Sequence, residues 1–118
     1  MPEAIMNQQM IESARDATKF LKVFANENRL LILCHLSDGE KSVAELEALL
    51  CIRQPTLSQQ LARLRAEKFV KTRREAKTIY YSLASGEVVL IIQLLYKLFC
   101  EPEDGPVITL SRTPMAAE

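Results

Sequence analysis

The amino-acid sequence predicts a mainly α-helical domain that contains one small β-hairpin. Apolar residues recur at helical spacing in five successive segments between about residues 8 and 100. Between the fourth and fifth segments the period changes to two, with β-branched and aromatic residues in alternation. A chain of 118 residues has the length of one domain and can bury a real core. We therefore expect one folded domain over residues 8–100.

The first two predicted helices are separated by a cluster of helix-starting residues. Ile11, Leu21 and Phe24 share one face of a helix from about Gln8 to Ala25. Asn26-Glu27-Asn28 then favours a new start, and the second helix covers Arg29 to Leu36. This second helix is apolar on nearly all sides, so it is expected to be deeply buried.

The third and fourth predicted helices form a pair joined by a short turn. Ser42, with Glu45 three residues later, matches a capping box and starts a helix that ends near Leu50. The fourth helix begins at Pro55, runs to about Lys68, and places leucines at positions 57, 61 and 64 on one stripe. Its other face has amides, hydroxyls and guanidinium groups, which can bond to base edges in a major groove. A solvated outer face is the alternative for this helix alone, but the pair matches the helix-turn-helix pattern.

The two strands of the predicted hairpin follow the fourth helix directly. Val70 and Thr72 alternate with basic residues, and a similar alternation runs from Ile79 to Leu83 after a turn at Arg74-Glu75-Ala76-Lys77. The turn contains neither Gly nor Asn, so the turn chemistry supports the hairpin only weakly. A basic hairpin in this position is typical of a wing, which lies along phosphates or in the adjacent minor groove. The predicted architecture is therefore a winged helix-turn-helix.

The last predicted helix, from Ser85 to Cys100, has almost no polar face. One small domain can cover only one side of such a helix, so the surplus apolar surface predicts a second subunit, most simply in a two-fold homodimer. From Glu101 the composition changes to Pro, Gly, Asp and small residues. We expect residues 101–118 to be a disordered tail.

Charge is unevenly distributed although the net charge is zero. The segment from Arg53 to Tyr81 contains eight Lys or Arg residues and two Glu, whereas the rest of the chain has seven basic and thirteen acidic residues. A basic segment on an otherwise acidic chain predicts a localised contact with a polyanion, here double-stranded DNA.

Other classes of protein are disfavoured by what the sequence lacks. The first residues do not resemble a signal peptide, and no apolar run has the length of a membrane span. Three widely spaced cysteines do not suggest a secreted disulfide framework, so a cytoplasmic location is expected. The chain has no CxxC motif, no Gly-rich phosphate loop and one histidine, which disfavours an enzyme; a sulfur-handling enzyme with Cys34 or Cys100 as nucleophile is the remaining alternative of that class.

Four segments resemble the ArsR/SmtB family of dimeric winged-helix repressors, over about Gln8 to Cys100. They are Ala25-Asn26-Glu27-Asn28-Arg29-Leu30, Val43-Ala44-Glu45-Leu46, Gln54-Pro55-Thr56-Leu57-Ser58-Gln59-Gln60-Leu61 and Lys77-Thr78-Ile79-Tyr80-Tyr81-Ser82-Leu83. The resemblance implies a homodimer through the first and last helices that binds operator DNA and releases it when an inducer binds. The candidates for the major groove are Thr56, Ser58, Gln59, Gln60 and Arg63, and those for phosphates and the minor groove are Arg53, Arg65, Arg73, Arg74, Lys77 and Tyr80. Gln54 is a further DNA-binding candidate.

The cysteines further resemble the persulfide-responsive BigR/SqrR-type subgroup of that family. Cys34 on the second helix and Cys100 at the end of the last stand where the subgroup has its sensor pair. By this resemblance, reactive sulfur species would link the two thiols through a disulfide or a longer sulfur bridge. Two ordinary buried thiols are the alternative, and Cys51 matches neither sensor position.

A metal inducer is the second alternative, but the usual ligands are missing. Members that sense arsenic have a cysteine pair in the third helix, where this chain has Ser42 and Ala44, and the last helix contains neither His nor Asp. A metal site would require the three cysteines and His35 to converge. We therefore expect no metal and no cofactor.

Overall fold

The computed structural model describes the backbone from Glu3 to Cys100 and the side chains of residues 7–100. The elements in chain order are α1 Glu3–Phe24, α2 Glu27–Leu36, β1 Lys41–Ser42, α3 Val43–Leu50, α4 Gln54–Ala66, β2 Val70–Glu75, β3 Thr78–Leu83 and α5 Gly86–Phe99. All five predicted helices and the hairpin are present. The expected tail at residues 101–118 lies outside the described residues.

The helix starts follow local capping chemistry. The Asn26 side chain accepts a hydrogen bond from the backbone N–H of Arg29, so α2 begins at Glu27, two residues earlier than predicted. Ser42 and Glu45 form the predicted capping box at the start of α3. Ser85 caps α5 through the N–H of Val88. These side chains satisfy backbone donors that have no partner within their own helix.

The core lies between α2, α4 and the helices around them. Its most buried side chains include Ile32 and Leu33 of α2, Leu46 of α3 and the predicted leucine stripe of α4, Leu57, Leu61 and Leu64. In α3, Leu50 also packs against this core, whereas the adjacent Leu49 is 50% exposed. Phe20, Phe24 and Phe69 form a ring cluster with centroids 5.0–5.2 Å apart, which joins the end of α1 to the link between α4 and β2.

The sheet has one more strand than the sequence predicted. β2 and β3 pair as the expected antiparallel hairpin, from Val70 opposite Leu83 to Glu75 opposite Thr78. The added strand β1 pairs with the other edge of β3, which gives the order β1-β3-β2. A strand of two residues has no detectable period, so sequence alternation could not reveal it. The added strand anchors the wing to the segment that leads into α3.

The predicted deep burial of α2 is corrected by the structure. Leu31 of α2 is 41% exposed, so this helix is not covered on all sides. In α1, Phe24 is buried, but Ile11 and Leu21 of the same predicted stripe are 51% and 53% exposed. α1 also begins at Glu3, five residues before the predicted start. Within Glu3–Cys100, no helix combines the length and the apolar character that a membrane crossing requires.

Candidate functional site

The outer face of α4 is a polar surface supported by the buried leucines beneath it. Gln54, Ser58, Gln59 and Arg63 are exposed, whereas Thr56 is half-buried. The helix starts after Arg53 with Pro55 in its first turn, and the Arg53 side chain makes no capping hydrogen bond. The polar residues of this face are therefore accessible to a partner, Thr56 less than the others. Arg65, predicted to contact phosphate, is exposed near the end of the same helix.

Gln60 differs from the other polar residues of α4 because its side chain is hydrogen-bonded to a buried residue of the protein. Its side-chain oxygen accepts a hydrogen bond of 3.1 Å from Nη1 of Arg29, which is only 9% exposed. The same guanidinium donates to the backbone oxygens of Val23 and Lys22 at the end of α1. Arg29 was not among the residues predicted to bind DNA, and the only signal for its role was a lone basic residue at the start of a mainly apolar helix.

Burial is the main reason that the pKa of Arg29 is lowered from its usual value. The positive charge of Arg63 lowers that pKa further, and the carboxylate of Glu67 acts in the opposite direction. Glu67 also pairs with Arg63 at 3.5 Å, four residues apart on the helix. The guanidinium groups of Arg29 and Arg63 therefore lie close enough to interact electrostatically.

The wing contains both paired and unpaired basic residues. Arg73 pairs with Glu40, which precedes β1, and with Glu75 at 2.7 Å, and its guanidinium stacks 4.7 Å above the ring of Tyr80. The hydrogen bonds to the two carboxylates raise the pKa of Arg73, and the bond from Arg73 lowers the pKa of Glu40. Two carboxylates thus offset much of the charge that was predicted to face phosphate.

Arg74 and Lys77 lie at the tip of the wing without such pairing. Nε of Arg74 donates to the backbone oxygen of Ala76 at 3.2 Å, and among residues 7–100 neither cation has a carboxylate within ion-pair distance. Ala76 adopts φ +56° in the two-residue turn between the strands, a conformation that glycine or asparagine would favour. This explains why the turn signal in the sequence was weak although the hairpin forms.

A groove of about 680 Å³ opens between α2 and α5, and both predicted sensor cysteines line it. Cys34 is half-buried on α2, and Cys100 is exposed at the C-cap of α5, where its backbone N–H donates to the oxygen of Tyr96 at 2.8 Å. The groove is lined by apolar side chains of both helices together with polar and charged ones. These lining residues are Leu31, His35, Ser37, Asp38, Val89, Ile92, Gln93, Tyr96 and Lys97.

The thiol of Cys34 has a raised pKa, chiefly because burial penalises its thiolate and secondarily because of the charge of a neighbouring Cys100 thiolate. The two sulfur groups are therefore close enough to interact electrostatically. At neutral pH this environment disfavours rapid reaction of Cys34 with weak electrophiles.

The conditions for a metal site are not met in the described part of the chain. No group of three or more His, Cys, Asp or Glu side chains in residues 7–100 is arranged to hold a metal ion. Cys51 is exposed at the left-handed C-cap of α3, with φ +57°, and does not line the groove. Cys51 therefore lies apart from the groove that Cys34, His35 and Cys100 line.

The two helices predicted to form a dimer interface both have exposed apolar side chains. On α5 these are Leu90, Leu94, Tyr96 and Phe99, each at least 45% exposed, and on α1 they are Met10, Ile11 and Leu21. An apolar surface on both terminal helices is typical of a protein–protein interface.

Comparison with known proteins identifies the relatives of this chain. Residues 26–72 match the family model described as bacterial regulatory protein, arsR family. The biofilm growth-associated repressor of Agrobacterium fabrum is 50% identical over 96 residues, which cover 81% of this chain and 82% of that protein. The transcriptional activator HlyU of Vibrio cholerae is 48% identical over 94 residues, which cover 80% of this chain and 87% of that protein.

Solved structures agree with these sequence matches. Reduced HlyU from Vibrio cholerae superposes with a TM-score of 0.77 at 48% identity, over 80% of this chain and 99% of that one. The repressor BigR from Xylella fastidiosa superposes with a TM-score of 0.75 at 40% identity, over 82% and 96%. These relatives are transcriptional regulators and not enzymes. The chain is therefore a winged helix-turn-helix transcriptional regulator that belongs to the ArsR family, in the subgroup that includes BigR.

Proposed function

We propose that this protein is a homodimeric repressor that releases its operator when Cys34 and Cys100 are oxidised or bridged by reactive sulfur species. The observation that supports this most directly is that two cysteines 66 positions apart in the chain line one groove between α2 and α5. Relatives include one named a repressor and one named an activator. Repression is the simpler proposal, because a bound dimer blocks transcription without contacting polymerase. The site of action would be cytoplasmic DNA.

Residues 8–100 would form the complete DNA-binding and dimerisation unit. In a two-fold dimer through α1 and α5, the two α4 helices would enter successive major grooves about 34–36 Å apart on an inverted repeat. Thr56, Ser58 and Gln59 would contact base edges, whereas Lys77 and Arg74 would contact phosphates or the minor groove. The exposed apolar side chains of α1 and α5 support this arrangement.

The sulfur chemistry balances with an organic persulfide, RSSH, as the oxidant. Two cysteine thiols and one RSSH give a disulfide, RSH and H₂S, because the sulfane sulfur accepts the two electrons lost by the thiols. Each further RSSH inserts one sulfur atom and releases one further RSH. A direct disulfide requires Cα atoms about 4.4–6.8 Å apart, whereas inserted sulfur atoms span a wider gap. A pair held slightly too far apart would thus respond to persulfides in preference to peroxide.

A bridge would act on DNA binding through α2. This helix packs against α4, and Arg29 in its first turn is bonded to Gln60. A covalent link from Cys34 to α5 would tie that support to the dimer helix. The spacing of the two α4 helices would then shift away from the operator repeat.

The direct test combines intact mass with operator binding. The reduced protein is treated with an organic persulfide, with hydrogen peroxide and with zinc, and each sample is assayed by mass spectrometry and by operator binding. We expect the persulfide to link Cys34 to Cys100, with or without added sulfur atoms, and to abolish binding. Peroxide and zinc are expected to have little effect.

The controls separate the sensor pair from the remaining thiol. Cys51→Ser should respond as wild type does, whereas Cys34→Ser and Cys100→Ser should bind the operator and keep it after treatment. If both single variants bound the operator when reduced and lost it after persulfide treatment, a bridge between these two cysteines would be contradicted. Loss of operator binding on addition of zinc to the double variant, Cys34→Ser with Cys100→Ser, would instead favour a metal-responsive repressor.

The assigned DNA contacts are tested by their different dependence on sequence and salt. Lys77→Ala should weaken binding to operator and to random DNA alike. It should also reduce the salt slope, which is the slope of the logarithm of the binding constant against the logarithm of salt concentration, by about one. Gln59→Ala should instead cost about 1–3 kcal/mol at one base position. Arg73→Ala is expected to change the salt slope less than Lys77→Ala, because carboxylates already pair with Arg73. Arg15→Ala on α1 removes the same charge away from the wing and should leave the dependence of binding on salt unchanged.

A further inference from the structure

Arg29 joins three parts of the molecule that are separate in sequence. Its Nε donates to the backbone oxygen of Val23 at 2.7 Å and Nη2 donates to that of Lys22 at 3.2 Å, both in the last turn of α1. Its Nη1 donates to Oε1 of Gln60 on α4 at 3.1 Å. The carbonyls at a helix C-terminus lack partners within the helix and lie at its negative end, so they stabilise a buried cation.

The bond to Gln60 determines which end of its amide faces outward. A guanidinium has five donors and no acceptor, so it can bind only the oxygen of the amide. The oxygen therefore lies on the inner side, towards Arg29, and the NH₂ group is left for the outer face of α4. A rotated amide would place NH₂ against the guanidinium and lose the hydrogen bond. Gln60 is thus held as a donor, whereas the freely exposed Gln59 can present either end.

We propose that Arg29 is a positioning residue for operator recognition, which orients Gln60 so that it offers only hydrogen-bond donors to the base edge. This inference rests on the proposed binding of DNA through α4. Donors match guanine O6 and N7, adenine N7 and thymine O4 in the major groove, whereas cytosine presents only its N4 donor. One position in each half-site should therefore exclude cytosine on the contacted strand.

The test selects bound duplexes from a randomised pool with the full, reduced chain. Wild-type protein should disfavour cytosine roughly tenfold or more at one position of each half-site. Arg29→Met should relax that exclusion, because the freed amide can turn its oxygen outward. In Gln60→Glu the carboxylate still accepts from Arg29 but offers no donor at neutral pH. This variant should fold as wild type does and lose the exclusion of cytosine.

A double-mutant cycle distinguishes positioning from general support of the fold. If Arg29 acts through Gln60, Arg29→Met should change the preference at this position in the wild-type background and not in Gln60→Met. The lost bonds to α1 should lower thermal stability equally in both backgrounds. Arg29→Lys keeps the positive charge but not the planar set of guanidinium donors. It provides a second variant if Arg29→Met does not fold.

Three outcomes are decisive. A Gln60→Met protein that excludes cytosine as wild type does would overturn the inference. Arg29 variants that weaken binding to every DNA sequence by the same factor, in both the wild-type and the Gln60→Met backgrounds, would also overturn it. If the wild-type protein shows no preference among duplexes, the proposed DNA-binding function itself fails, and this inference fails with it.

Discussion

The two helices with the candidate sensor cysteines, α2 and α5, have similarly apolar sequences but very different surroundings. In α2, Ile32 and Leu33 have no exposed surface. In α5 only Val88 and Ile92 are buried, whereas Leu90 is 66% exposed. An apolar helix therefore need not be a buried one.

The difference arises from the position of each helix in the fold. α2 packs against α1, α3, α4 and β3, so neighbours surround most of it. α5 follows the wing as the last described element and contributes one face to the core. Complete burial of a large aliphatic side chain contributes about 1.5–3 kcal/mol. The outer face of α5 could gain that energy only by binding another surface, as in the proposed dimer.

Cavity formation in α2 should give the largest effect. We expect Leu33→Ala to lower the free energy of unfolding by about 2–5 kcal/mol, because the side chain is fully buried and its removal leaves a void. Leu31→Ala on the same helix is the matched control and should cost about 1 kcal/mol or less, since Leu31 is 41% exposed. Urea unfolding at one fixed protein concentration measures both. Equal losses would contradict the difference in burial.

Charge on the outer face of α5 should act on association instead. Leu90→Glu with Leu94→Glu should raise the dimer dissociation constant about tenfold or more, because a carboxylate in an apolar interface loses its hydration. Sedimentation equilibrium measures the change. Gln93→Glu adds a single carboxylate between these positions without removing an apolar side chain and should have a smaller effect. A wild-type protein that is monomeric at every concentration would refute the proposed interface.

Loss of either N-cap should have a moderate and similar effect on the two helices. Asn26→Ala and Ser85→Ala are each expected to destabilise by about 1 kcal/mol, because each removes one bond to a backbone N–H of the first turn. Thermal unfolding can detect both changes. Ser58→Ala, which removes a hydroxyl from the exposed face of α4, should be close to neutral. A much larger loss for one cap would show that its side chain also supports tertiary packing.

The smallest expected effect is on the pH dependence of Cys34 reactivity. Burial and the nearby Cys100 raise the pKa of Cys34, so its thiolate is scarcer near neutral pH than that of an ordinary cysteine. Alkylation of Cys34 in a Cys51→Ser background should therefore keep accelerating at pH values where a free thiol has reached its plateau. Cys100→Ser should move the profile to lower pH. Mass spectrometry gives the rates. A rate that levels off at a lower pH than that of a free cysteine would contradict the raised pKa.

The features predicted well from sequence depend on residues close together in the chain. The leucine stripe of α4 and the capping box of Ser42 and Glu45 involve spacings of three to seven residues, and both are present. Cys34 and Cys100 were paired only through the family resemblance, because no local pattern relates residues on different helices. The exposure of Leu31 and Leu21 was not predicted, since periodicity identifies an apolar face but not what covers it.

Sequence alone determined the five helices, the hairpin and the basic segment, because helical period, capping and charge are properties of neighbouring residues. Tertiary structure decided which basic residues remain unpaired, since Arg73 pairs with Glu40, a residue 33 positions away. It also placed Arg29 beneath Gln60, 31 positions further along the chain. Such contacts depend on how the helices pack, and packing is a property of the whole core.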